Sequence, residues 1–140
     1  GAVVAAAVVI FTVAGNGPEG GNTPPISQET AEAGAPIVAV KVPDDFSSAA
    51  LFGKNAFNAK CADCHGENAA GRQGSAPPLV HKIYEPSHHG DEAFQLAVKN
   101  GVRAHHWKFG NMPPVDGLTR GDVKGIVAYI REIQRENGIN

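Results

Sequence analysis

Cys61-Ala62-Asp63-Cys64-His65 carries the densest chemistry in this chain of 140 residues. Two thiols three positions apart, followed at once by an imidazole, make C-x-x-C-H, the attachment signature of a c-type haem. The thiols can add to the two vinyl groups on one edge of a porphyrin. The next residue then places an imidazole under the iron. An electron-carrying haem iron needs a second axial ligand. The chain holds one methionine, Met112, in Gly110-Asn111-Met112-Pro113-Pro114. A lone methionine can equally be a gap-filler in a core. Its place before a Pro-Pro pair, and the lack of any other thioether, favour ligation. The expected axial pair is therefore His65 and Met112.

Other uses of Cys61 and Cys64 are a thioredoxin-like couple, half of a zinc site or a structural disulfide. A four-cysteine zinc site is excluded, because the chain has only these 2 cysteines. A two-Cys, two-His site with His81 or His88 has spacings that match no common finger. No strand-rich βαβ pattern surrounds the pair, which weakens the thioredoxin reading.

Five further histidines remain: His81, His88, His89, His105 and His106. Neutral imidazoles suit copper or zinc, so they are a candidate second metal site. The pairs flank an expected helix whose ends would stand roughly 13 Å apart, which argues against one site using all four paired residues. Neighbouring side chains in extended backbone also face opposite ways. One member of each pair, with His81 as a further ligand, would need the loops to fold back. The plainer reading is surface residues or haem-propionate partners. Trp107, the only tryptophan, has an indole N–H that burial would oblige to find an acceptor.

The elements that must hold these groups read as helices. Ser47 or Ser48 can cap a helix to about Lys60, with Leu51, Phe52 and Phe57 on its apolar face. A second runs from about Asp91 to Asn100 and stops at Gly101. Thr119 and Asp122 resemble a capping box opening the last helix. Val123, Ile126, Val127, Ile130 and Ile133 recur there at helical spacing, and Gly138 ends the run. No segment alternates with period two, so the expected fold class is all-α.

Residues 1–14 differ in kind. Ala2 to Ala14 is almost wholly apolar but shorter than the roughly 20 residues a spanning helix needs. It reads as the end of a membrane anchor or a signal remnant. A strand packing on something else is the alternative. Residues 15–43 contain five Gly and five Pro and read as a linker, leaving 44–140 as the domain. The 12 Lys+Arg against 14 Asp+Glu show no nucleic-acid footprint. From Asp44 onward the two signs balance, so partner docking must rest on local patches.

From about Ser47 to Asn137 the chain resembles a class I cytochrome c. Besides C-x-x-C-H, Gly53-Lys54-Asn55-Ala56-Phe57 is similar to the Gly-x-x-x-Phe of that family's first helix. Gly125-Ile126-Val127-Ala128-Tyr129 is similar to the face of its last helix that crosses the first. Ala76-Pro77-Pro78-Leu79 resembles the loop on the histidine side of the haem, and Asn111-Met112-Pro113-Pro114 the methionine loop. The resemblance implies a small cytochrome c fold around one covalent haem c. It implies that the Pro78 carbonyl orients His65, that Leu79 packs on the ring, and that Trp107 donates to a propionate; a core tryptophan bonded to a backbone carbonyl stays open beside that last role. It also implies a one-electron carrier, not an enzyme, working between respiratory or other periplasmic redox proteins of a bacterium. The N-terminal run would tether it to the membrane, and residues before about Asp44 would be dispensable for haem binding. A haem protein with a labile Met112 that binds or reduces a small ligand is the alternative, as is an added copper-handling role for the histidines.

Overall fold

The computed structural model describes residues 32–140. The apolar run and the first part of the expected linker lie outside them. Among the described residues there are helices and isolated bridges but no strands, so the fold is all-α. No described helix is long and apolar enough to cross a membrane.

Among the described residues four α-helices form: α1 (Ser48–Lys60), α2 (Ala62–His65), α3 (Asp91–Asn100) and α4 (Arg120–Glu136); local signals placed α1, α3 and α4. The Ser47 hydroxyl accepts from the Ala50 N–H at 3.2 Å and so caps α1. Thr119 and Asp122 form a reciprocal capping box at the start of α4. Its far end closes on Gly138, where Gly138 N–H donates to the Arg135 carbonyl and Ile139 N–H to that of Gln134. Acidic Asp91 and Glu92 occupy the first turn of α3, where the helix dipole favours negative charge.

The core lies between α1 and α4. A Cβ added to Gly53 would stand 1.8 Å from the Gly125 carbonyl oxygen, and one added to Gly125 would stand 3.3 Å from Gly53 Cα. Only two glycines let these backbones touch. Beside that crossing the Tyr129 ring lies 5.4 Å from Phe57 and 5.4 Å from Phe46. Ala50, Ile126, Ile130 and Ile133 complete the buried cluster with Leu79 and Val80.

After α2 the chain turns through Glu67–Ala69, with Asn68 at φ 53° and Ala69 at φ 58°. This left-handed backbone costs roughly 1–2 kcal/mol per non-glycine residue. Tertiary contacts hold it. The Tyr129 hydroxyl donates to Asn68 Oδ1 at 3.3 Å, and Leu79 N–H donates to the Ala69 carbonyl at 2.9 Å.

The described end of the expected linker is bonded to the domain. Ile37 and Val38 both donate their N–H groups to the Ala70 carbonyl, at 3.2 and 3.1 Å. Gly34 N–H donates to Gln73, and Gln73 N–H returns a bond to Ala35. Asn137 clips the backbone of Lys41 from both sides, at 2.9 and 2.7 Å. Bonds from Gly34 to Lys41 therefore tie this stretch, which reads as linker in the sequence, to the packed helices. Backbone N–H and C=O groups can pair with a neighbouring loop whatever the side chains, and here Gly34, Ile37, Val38 and Lys41 supply the donors.

Candidate functional site

The C-x-x-C-H run sits where α1 gives way to α2. Cys61 N–H donates to the Phe57 carbonyl at 2.7 Å, and His65 N–H donates to that of Cys61 at 2.8 Å. One helical turn thus carries both thiols and the imidazole. Both cysteines are free; Cys61 is half-buried and Cys64 exposed. Burial, and then the neighbouring Cys64, pushes the Cys61 thiol up to about 11. A nucleophilic redox cysteine needs the opposite shift.

His65 is buried, 9% exposed. Its Nδ1 lies 2.9 Å from the Pro77 carbonyl oxygen. A carbonyl can only accept, so Nδ1 carries the proton and Nε2 keeps the lone pair a metal needs. Burial lowers the imidazole's pKa, and the Pro77 bond opposes that shift only in part. The ring is therefore neutral, the metal-binding form. The acceptor is Pro77, one residue before the Pro78 that the family resemblance implied. Pro78 is fully buried and wedged against Gly71, where an added Cβ would stand 2.5 Å from the Pro78 nitrogen. That wedge leaves the preceding carbonyl facing His65. Leu79 lies in the core cluster, and its carbonyl accepts from Gln134 Nε2 at 2.8 Å.

Met112 stands at the base of a hairpin. Val102 and Met112 exchange two backbone hydrogen bonds of 2.9 Å each, and Ala104 N–H donates to Asn111 Oδ1 at 2.9 Å. Gly101, at φ +74°, lets the strap close, since a Cβ there would stand 2.5 Å from the Met112 carbonyl oxygen. Trp107 rides on this hairpin. Its Nε1–H is buried and meets no acceptor among the described residues. Tyr84 is near, and burial raises its phenol while the Trp107 indole opposes the rise. That approach lacks hydrogen-bond geometry, so Nε1 is left without an acceptor.

The histidines depart from expectation. All four paired rings meet: His88 and His106 at 5.3 Å, His89 and His106 at 5.4 Å, His105 and His106 at 4.2 Å between centroids. The length of α3 does not separate them, because the 102–112 hairpin doubles back beside the turn at 85–89. The group with metal-ligand spacing is His88, His89 and His106, both members of one pair and one of the other. His81 stays apart and packs edge-on against Trp107 at 5.2 Å. The His106 imidazole is held below its ordinary value by desolvation, then by His105, His89 and His88.

Arg131 and Gln134 position this region, and the apolar pattern had not marked them. Arg131, 7% exposed, donates to the Tyr84 and His89 carbonyls and to Gln134 Oε1, and pairs with Asp91 at 3.0 Å. Val127, Arg131 and Gln134 recur at i, i+4, i+7, a spacing that places both polar residues on the inward face of α4.

A cytochrome c family profile matches residues 50–134, more than half of the chain, and the chain belongs to the cytochrome c family. Comparison with curated proteins and with solved structures finds no match. Membership implies a covalent haem c and the role of a haem-based electron carrier. The residues fit that group: two free thiols and a neutral, oriented imidazole lie on one turn, and a buried indole N–H lacks an acceptor.

Proposed function

We propose that this protein is a one-electron carrier, not an enzyme, whose haem is held by Cys61 and Cys64 and ligated by His65 and Met112. The observation that carries the reading is the His65 Nδ1–H bond to Pro77, which commits one ring nitrogen and leaves the other to a metal. Bound haem c supplies a reversible Fe(III)/Fe(II) couple. The protein's part is to hold its ligands still. Pro77 fixes the tautomer and the plane of His65, and the Val102–Met112 bonds fix the backbone that presents the only thioether. A neutral, soft thioether favours ferrous iron more than a second imidazole would, which raises the potential. The indole N–H of Trp107 suits a haem propionate as acceptor.

The partners we propose are redox proteins on the periplasmic side of a bacterial cytoplasmic membrane. The apolar run at 2–14 would be the tether, and the stretch after it the reach. Covalent attachment through two free thiols accords with that compartment.

Met112→Ala tests the ligation. It should lower the potential, abolish the thioether-to-iron charge-transfer band and let carbon monoxide bind the reduced protein. A variant that keeps its six-coordinate spectrum and its potential would assign the sixth position to another residue.

A further inference from the structure

We propose that His88, His89 and His106 bind one zinc ion, at a site separate from the haem ligands. Their ligand nitrogens all lie within 4.8 Å of one another. His88 Nε2 and His106 Nε2 stand 3.4 Å apart. Two imidazole nitrogens on a tetrahedral zinc, each about 2.0–2.1 Å from the metal, are separated by about 3.3–3.4 Å. A cis pair on square-planar copper would stand only about 2.9 Å apart. The His88–His106 spacing is thus that of the tetrahedral ion, with the His89 nitrogen within 4.8 Å of both. It is also longer than the usual N–H hydrogen bond of about 2.9–3.0 Å, so mutual bonding accounts poorly for the pair.

The surroundings aim these rings. His89 Nδ1 lies 2.7 Å from the Ile83 carbonyl oxygen, so it carries the proton and Nε2 carries the lone pair. The same logic holds for His105, whose Nδ1 lies 2.8 Å from the Arg103 carbonyl. His105 packs on His106, with ring centroids 4.2 Å apart, and is a further imidazole beside the group for a fourth position. A water would serve otherwise.

Two independent frames bring the ligands together. The turn bearing His88 and His89 is closed by both N–H groups on the Glu85 carbonyl, and Arg131 of α4 grips the His89 carbonyl. The hairpin bearing His106 is closed by the paired Val102 and Met112 bonds. A metal joining them would pin the hairpin to α4.

The test uses the full, haem-loaded protein without an affinity tag, titrated with zinc chloride at neutral pH by calorimetry. Binding of about one zinc per chain, with a dissociation constant below roughly 10 µM, is expected. His88→Gln and His106→Gln should each weaken binding by about tenfold or more, while His81→Gln should not. Both residues are exposed, so the variants should retain the haem spectrum. Should one lose it, amide exchange in the unaltered protein decides: zinc should slow exchange of the Val102 and Met112 N–H groups about tenfold, reversibly with a chelator. Several results would overturn the proposal. They are no saturable binding up to roughly 100 µM, binding indifferent to both substitutions, exchange unaffected by zinc, or stoichiometric binding of copper but not of zinc.

Discussion

The α1–α4 side of the molecule and the stretch from His81 to Asp122 are built on different principles. On the first, Ala50, Phe57, Tyr129 and Ile133 have no exposed surface, and two glycines bring the helices into backbone contact. On the second, no residue from 81 to 122 is buried, and α3 has no buried side chain at all. Polar bonds, many of them from Arg131 and Gln134, tie that side down. The helix pair is held by apolar packing and by the close approach of Gly53 and Gly125. The loop side lacks apolar mass of its own, and a covalent haem is the kind of group that would supply it. Met112, Trp107 and the clustered histidines lie on that looser side, whereas Cys61, Cys64 and His65 lie where α1 gives way to α2.

Breaking the strong side should have the largest effect. Gly53→Ala forces a methyl into the Gly125 carbonyl and should cost on the order of 3 kcal/mol in thermal unfolding of the haem-loaded protein. A matching substitution on the loop side, Gly110→Ala, meets no neighbour within 4 Å, although φ is +87°. It should cost only about 1 kcal/mol. Equal losses would erase the contrast between the two sides.

Arg131→Met probes the seam between them. It strips donors from the Tyr84 and His89 carbonyls and should cost about 2 kcal/mol. Amide exchange should quicken around Glu85 to His89 and stay unchanged at the Gly53–Gly125 crossing. Uniform quickening would show that the loop side does not move as a unit of its own.

The N-terminal strap comes next. Compared with a chain beginning at residue 32, one beginning at Asp44 loses the Ile37 and Val38 bonds and the Lys41 clip, worth about 1–2 kcal/mol together. Indistinguishable melting of the two shortened chains would make the strap an ornament of the domain.

The smallest effect concerns the α4 cap. Thr119→Ala should cost about 1 kcal/mol. The Thr119 hydroxyl and backbone N–H hold the Asp122 carboxyl below its ordinary range. A depressed carboxylate stabilises the fold above its unfolded value, near 4, and that contribution is lost as pH falls through the lower folded one. Asp122→Asn should therefore be less stable than the parent at pH 7, with the gap closing under acid. A gap independent of pH would remove the carboxylate from the account.

What the sequence determined by itself was everything written in local or periodic signals. The spans of α1, α3 and α4 were legible, because caps, stop glycines and apolar spacing act within one or two turns. So was the closeness of Cys61, Cys64 and His65, which share one helical turn. Tertiary structure decided the rest. The acceptor for His65 is Pro77 because Pro78 is wedged against Gly71, a contact no spacing announces. Residues 34–41 join the domain through their backbone groups, bonded to the backbones of Ala70 and Gln73 and to the side-chain amide of Asn137, and such bonding leaves no mark in composition. The four histidines converge because Arg131 holds one turn and the Val102–Met112 bonds fold a hairpin against it. Those contacts join residues far apart in the chain, and long-range pairing follows from how loops return to the core, which no local pattern encodes.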